Sequence, residues 1–146
     1  MIRPLTPNDH ALFLELCREF YHSDAVLHPV PEHYLENSFQ ELMRSDTYLI
    51  CYILEYEAQP VGYALLSRSF SPEVGGTILW IEELYLREAF RSHGIGSAFF
   101  RFLEQQHPAA RYRLEIEPDN VRAKALYKRH GFEVLPYEQM VRDLDK

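Results

Sequence analysis

The segment from Thr77 to Leu86 constrains the fold more than any other part of the chain. It consists of Thr-Ile-Leu-Trp-Ile-Glu-Glu-Leu-Tyr-Leu, a nearly continuous run of β-branched, aromatic and aliphatic residues. Such a run is typical of a central strand that is covered on both faces. We therefore expect a sheet with helices packed on both of its sides.

The pattern along the rest of the chain supplies those helices in a mixed α/β order. No internal repeat or linker is visible, so we predict a single domain over residues 1–146. Helical spacing and caps predict helices from Thr6 to about Phe20, from Pro31 to about Arg44, over Ser97–Gln106 and over Val121–His130. Strands are predicted over Ile2–Pro4, Thr47–Glu55, Pro60–Phe70, Thr77–Leu86, Arg111–Glu117, Phe132–Leu135 and Tyr137–Leu144.

Composition narrows the classes of partner. The net charge of −7 argues against a generic nucleic-acid binder, and no run of about 18 apolar residues predicts a membrane span. The first residues lack the apolar core of a signal peptide, and two cysteines cannot form a disulfide framework, so we expect a cytoplasmic protein. The seven histidines show no metal-ligand spacing, and we predict no metal site.

The charge is divided unevenly along the chain. Residues 1–83 carry 13 acidic and 4 basic side chains, a net of −9, whereas residues 84–146 carry a net of +2. Either both halves are ordinary solvated surface, or they bind ligands of opposite charge. The second interpretation predicts an anionic ligand for the C-terminal half and a cationic one for the N-terminal half.

A glycine-containing turn follows the central strand. The residues Arg91-Ser92-His93-Gly94-Ile95-Gly96 stand between that strand and a helix. Two glycines let the backbone approach a ligand closely, and the helix adds the positive end of its dipole. This favours an anion site, although a plain strand–helix turn would also explain the glycines. The segment is neither a Walker A loop nor a full Rossmann fingerprint.

A second motif places Asn120 at a helix start, Tyr127 on that helix, and Gly131-Phe132 after it. Taken alone, Asn120 is a helix cap and Tyr127 a core or surface aromatic. Together with the glycine turn, the order and spacing resemble the Gcn5-related N-acetyltransferase (GNAT) superfamily, whose most characteristic stretch is Arg/Gln-x-x-Gly-x-Gly/Ala. The resemblance covers the whole chain in element order, and its specific motifs lie between about Ile78 and Phe132.

The resemblance implies a mostly antiparallel central sheet, splayed between the fourth and fifth strands, with helices on both faces. Acetyl-CoA would bind in that opening, with its pantetheine arm along the fourth strand and its pyrophosphate on the amides of the turn. Arg87, Arg122 and Lys124 are further cations available to its phosphates. The cofactor-binding residues implied are Leu84, Tyr85, Leu86, Arg91, Ser92, His93, Gly94, Ile95, Gly96, Asn120 and Lys128. His93 departs from the Lys or Arg that the family often has.

The implied reaction is attack of an amine nitrogen on a thioester carbonyl, for which an ammonium group must first lose a proton. Tyr127 stands at the family's general-acid position and can protonate the leaving sulfur. Glu82 and Glu83 are the candidate bases. Regular strand alternation sends them to opposite faces, but the bulge that the family usually carries here would blur that rule. Resemblance to diamine and polyamine acetyltransferases favours Glu82 over Glu83.

The N-terminal helix–loop–helix, from about Glu19 to Glu41, would shape the acceptor pocket in this family. Its acidic and aromatic side chains favour a small cationic amine, such as a diamine or polyamine. The alternatives are N-acetylation of a protein or peptide N-terminus or lysine, and a non-catalytic acyl-CoA-binding module. The resemblance also leaves open a homodimer built on the last strand.

Overall fold

The computed structural model describes residues 1–144, in which four α-helices flank one five-stranded sheet. Single-turn 3-10 helices precede α1 and α3. In chain order the elements are β1 Ile2–Pro4, α1 His10–Tyr21, α2 Glu32–Arg44, β2 Leu49–Tyr56, β3 Gln59–Ser71, β4 Gly76–Leu86, α3 Ile95–Gln106, β5 Arg111–Leu114 and α4 Val121–Arg129.

The sheet has the strand order β1-β2-β3-β4-β5. Every pair of neighbours is antiparallel except β4 and β5, which are parallel. β4 pairs with β3 along its whole length, from Gly76 to Leu86, but with β5 only over Ile78–Ile81. Beyond Ile81 the two strands are no longer paired. The predicted mixed sheet, mostly antiparallel and splayed between the fourth and fifth strands, is confirmed.

Strand alternation divides the apolar side chains between two cores, one on each face of the sheet. In β3, Tyr63 and Leu65 point to the face covered by α1 and α2, while Ala64 and Leu66 point to the face covered by α3. The apolar strands need helices on both faces, because the helices remove the apolar side chains on each face from water. No helix in the described residues is both long and apolar enough to span a bilayer.

The first helix begins differently from its predicted start at Thr6. Residues Pro7–Asp9 form a 3-10 turn, and α1 follows from His10. The buried carboxylate of Asp9 accepts hydrogen bonds from the Arg3 guanidinium at 2.8 and 3.0 Å and from the backbone and hydroxyl of Thr6 at 2.8 and 3.0 Å. The Arg3 bonds chiefly hold the pKa of Asp9 down to about 2.

This depressed pKa predicts an acid-sensitive contribution to stability. The unfolded chain takes up a proton on Asp9 near pH 4, before the folded chain does, so the contribution is full above pH 4 and is lost towards pH 2. We expect Asp9→Asn to lower the free energy of unfolding by about 2 kcal/mol at pH 6 and by less at pH 2.5. Urea denaturation at the two pH values measures the difference. Asp46→Asn, at an exposed carboxylate 3.8 Å from Arg68, is the matched control and should change little.

The last two predicted strands, Phe132–Leu135 and Tyr137–Leu144, are wrong: residues 132–144 contain no strand in the structure. β5 also ends at Leu114 instead of Glu117. A strand needs a hydrogen-bonded neighbour, whereas apolar side chains in this segment are exposed, Val141 by 85% and Met140 by 97%. The residue types that predicted these strands do not supply a partner, and β5 is the edge of the sheet.

Candidate active site

The separation of β4 from β5 opens a cavity of about 990 Å³. It extends from the end of α1, past β4, to the start of α3 and along α4. The predicted site residues that line it are Glu82, Glu83, Leu84, Tyr85, Leu86, Arg91, Ser92, Gly94, Ile95, Gly96, Asn120 and Tyr127. The two motifs that lie apart in the sequence therefore border one cavity.

The glycine turn is shaped as an anion site. Ser92 and Gly94 both have positive φ, 64° and 78°, and Gly94 is the N-cap of α3. Within residues 1–144, no side chain caps this helix, so its first amides are left to point at a ligand. Arg122 donates to the Ser92 hydroxyl at 2.6 Å and brings a positive charge to the same place. Such a turn suits a phosphate or pyrophosphate group.

Gly96 allows α3 and α4 to approach each other at this end of the cavity. A Cβ added at Gly96 would lie 3.1 Å from a methyl carbon of Leu126, tighter than an ordinary contact. Asn120 begins α4, and its side chain accepts a hydrogen bond from the Ala123 amide at 3.2 Å. Asn120 therefore acts as a helix cap at the cavity wall.

The second half of β4 offers an open strand edge to the cavity. Past Ile81, this edge has no strand partner in the described part of the chain, while β3 covers the opposite edge. Leu84 and Leu86 pack on the α3 side of the sheet, whereas Tyr85 turns to the α1 side. The free peptide groups between them can pair with an extended ligand that carries amides.

A β-bulge brings both candidate bases to the same face. Leu65 pairs with Glu83 and Leu66 with Ile81, so Glu82 is the extra residue of β4. Glu82 accepts a hydrogen bond from the Ser67 hydroxyl at 2.6 Å. Glu83 accepts from the hydroxyl of Tyr63 at 2.6 Å and from that of Tyr21. Regular alternation would have separated the two carboxylates, and the bulge overrides it.

The two carboxylates differ in their access to a substrate. Burial raises the pKa of Glu83, and the two tyrosine hydroxyls that donate to it offset part of that effect. Each of its oxygens already accepts one of these hydroxyls. Glu82 is exposed, and one of its oxygens has no partner in the described chain. Glu82 is therefore the more accessible proton acceptor.

Tyr127 lines the cavity from α4, whereas the two acids line it from β4. Its ring packs against Phe100 and Phe132, each with ring centroids 5.9 Å away. Burial raises the pKa of its hydroxyl to about 12, so the group keeps its proton at neutral pH. Among residues 1–144, this hydroxyl makes no hydrogen bond, which leaves it able to donate to a ligand.

Four residues that the resemblance assigned to the cofactor lie elsewhere than expected. Arg87 donates to both oxygens of Glu19 at 2.9 and 3.0 Å, which fixes α1 against the end of β4, so it is not free for a phosphate. The His93 ring packs against Tyr56 outside the cavity lining. Lys128, with Lys124, borders a second cavity of about 710 Å³ between β5, α4 and the C-terminal segment.

Some residues that line the main cavity were missed by the sequence reasoning. Arg129 is one, and nothing in the run Lys128-Arg129 distinguishes the residue that faces the cavity from the one that does not. Ser97, in the first turn of α3, is another, and it follows the glycine motif directly. Within the described residues, no group of three His, Cys, Asp or Glu side chains could hold a metal ion.

Comparisons with known proteins agree with this architecture. The model of the "Acetyltransferase (GNAT) family" matches residues 11–132. AAC(6')-Iy in complex with the bisubstrate analogue CoA-S-monomethyl-acetylneamine has a TM-score of 0.80 at 14% identity, over 98% of this chain and 97% of that one. A possible acetyltransferase from Clostridium difficile 630 has a TM-score of 0.78 at 17% identity, over 100% of this chain and 98% of that one.

The aminoglycoside 6'-N-acetyltransferase AAC(6')-IG from Acinetobacter haemolyticus is also similar, with a TM-score of 0.74 at 20% identity, over 100% of this chain and 98% of that one. These likenesses show a shared fold. The comparison with curated protein sequences finds no significant match.

Proposed function

Because the chain belongs to the acetyltransferase (GNAT) family, with acetyl-CoA as co-substrate, we propose that it acetylates the primary amine of a small cationic acceptor such as a diamine or polyamine. One observation carries this proposal. An accessible carboxylate, Glu82, and a protonated hydroxyl, Tyr127, border the same cavity as the anion-binding turn. A donor that is anionic at one end and a cationic acceptor can meet in such a cavity.

In the proposed mechanism, Glu82 removes a proton from the acceptor's ammonium group, directly or through a water molecule. The neutral nitrogen then attacks the thioester carbonyl carbon, forming the C–N bond. As the C–S bond breaks, Tyr127 gives its proton to the sulfur, which leaves as a thiol. The phenolate regains a proton from solvent, and Glu82 releases the one it took.

The residues assigned to the donor follow from the same geometry. The amides that follow Gly94, together with Arg91, Arg122 and Arg129, would hold the pyrophosphate. The open edge of β4 would pair with the pantetheine amides. His93 and Lys128, which lie outside this cavity, are given no part in the proposal.

The acceptor would enter from the end of α1. Glu19, Asp24 and Glu82 line that end of the cavity, and Arg87 neutralises Glu19. The remaining carboxylates make the entrance negative, which draws a cation towards it and repels a competing anion.

The decisive experiment measures thiol release from acetyl-CoA against a panel of acceptors. We expect the highest kcat/KM with small diamines or polyamines, falling as salt screens the acidic entrance. A preference for a basic peptide N-terminus or for lysine in a protein would replace the small amine as the acceptor class. Release with none of the acceptors, although coenzyme A binds, would indicate a non-catalytic acyl-CoA-binding module.

We further propose a cytoplasmic homodimer. The free, buried thiols of Cys17 and Cys51 are compatible with a reducing compartment. The exposed apolar side chains of the C-terminal segment support association of two copies, which sedimentation of the intact chain would test.

A further inference from the structure

Trp80 is a large aromatic residue that is not part of either hydrophobic core. It is half-buried, and within residues 1–144 it belongs to neither of the two apolar clusters. It pairs with Ser67 on β3 and with Arg113 on β5, so the three side chains stand side by side on one face. This is the face of the sheet on which α1, Glu82 and Glu83 lie.

The ring of Trp80 already binds a cation. The guanidinium carbon of Arg113 lies 4.4 Å from the ring centroid, which is a cation–π contact. In the described part of the chain, Arg113 makes no ion pair with a carboxylate, so the ring is the partner of its charge. The half-buried Arg113 side chain can therefore leave the ring without breaking an ion pair.

Glu82 lies beside this ring. Ser67 pairs with Trp80 across the strands and donates its hydroxyl to Glu82, which shows that Trp80 and Glu82 share a face. Two residues along a strand place the backbone positions of Trp80 and Glu82 about 7 Å apart. A ring face that accepts a cation and a carboxylate that accepts a proton thus stand at a fixed spacing.

We propose that Trp80 and Glu82 form a two-point subsite for a diamine acceptor. Glu82 receives the nitrogen that reacts, and the ring of Trp80 holds the second ammonium group, displacing the Arg113 guanidinium. The proposal rests on the proposed acetyl transfer, which it extends by naming a specificity-determining residue. It selects acceptors whose two nitrogens are about 7 Å apart, such as 1,5-diaminopentane.

The chain offers a direct probe, because Trp80 is its single tryptophan. Adding 1,5-diaminopentane should change the tryptophan fluorescence saturably, whereas 1-aminopentane, which lacks the second nitrogen, should change it far less. Arg113→Gln should tighten diamine binding several-fold by freeing the ring. Arg111→Gln is the matched control on the same strand, since Arg111 pairs with Glu73 and should leave binding unchanged.

Steady-state kinetics with two acceptor amines test the same subsite. We expect Trp80→Leu to raise KM for 1,5-diaminopentane about tenfold, with little change in kcat and none in KM for 1-aminopentane. Trp80→Phe should recover part of the loss, which a purely structural defect would not do. An equal rise in KM for both amines would overturn the subsite.

Failure of the subsite and failure of the acetyl transfer give different results. Saturable acetylation of the diamine with unchanged fluorescence would overturn the subsite and leave the transfer standing. A saturable fluorescence change without thiol release would support the subsite and count against the transfer. If the diamine gives neither signal, the subsite is overturned, and the wider amine panel decides on the transfer.

Discussion

Replacing Tyr127 with phenylalanine is expected to lower kcat by about 10²- to 10⁴-fold, because the leaving sulfur loses its proton donor. The ring and its packing against Phe100 and Phe132 remain, so the fold and the affinity for coenzyme A should not change. Thiol-release kinetics and calorimetric titration with coenzyme A measure the two quantities separately. Equal turnover by both proteins would remove Tyr127 from the mechanism.

The pH profile of the wild-type protein adds a second check on Tyr127. Because burial raises the pKa of this hydroxyl to about 12, its loss of a proton should not lower kcat at any pH below 10. Tyr137→Phe is a suitable control for the substitution, since Tyr137 is exposed and, among residues 1–144, its hydroxyl bonds only to Glu73. That variant should behave as the wild type.

The second large effect is expected for Glu82→Gln, which should lower kcat/KM at pH 7 by about 10²-fold. The amide keeps the size of the side chain but cannot take a proton from the acceptor's ammonium group. The loss should shrink towards pH 10, where an amine with a pKa near that of lysine is itself partly deprotonated. Profiles of kcat/KM between pH 6 and pH 10 test this convergence, and a pH-independent loss would contradict the role of a base.

Glu83→Gln separates the two neighbouring acids. Glutamine cannot accept the hydroxyls of Tyr21 and Tyr63 on two equivalent oxygens, so this variant should melt at a lower temperature. Its kcat/KM should fall less than that of Glu82→Gln and without the pH-dependent recovery. The reverse pattern would make Glu83 the base and Glu82 a binding residue.

Sequence reasoning was most accurate where a motif encodes backbone conformation. The glycine turn was located correctly because Gly94 supplies a positive φ and the following residues begin a helix. The helix around Tyr127 followed from its cap at Asn120 and its end at Gly131. Such features depend on a few consecutive residues, which a sequence shows directly.

Features that depend on distant partners were not predictable in the same way. The orientation of Glu82 and Glu83 is fixed by how β4 registers against β3, and no local pattern encodes that shift. Arg87 was counted among the cations available to the phosphates. Its actual partner, Glu19, lies on a helix far away in the sequence, and no local pattern links the two residues. Strands were predicted over residues 132–135 and 137–144, but the structure gives these segments no neighbour to pair with.

The alternation of β4 has a consequence for how this chain can change. Its side chains at Glu83 and Tyr85 face α1, whereas Leu84 and Leu86 face α3, and the open edge between them is backbone. Substitutions on the α1 face can therefore change which acceptor binds there, while the backbone edge of β4 stays the same. A one-residue deletion in this strand would exchange the two faces at once. We therefore expect β4 to tolerate point mutations but not insertions or deletions.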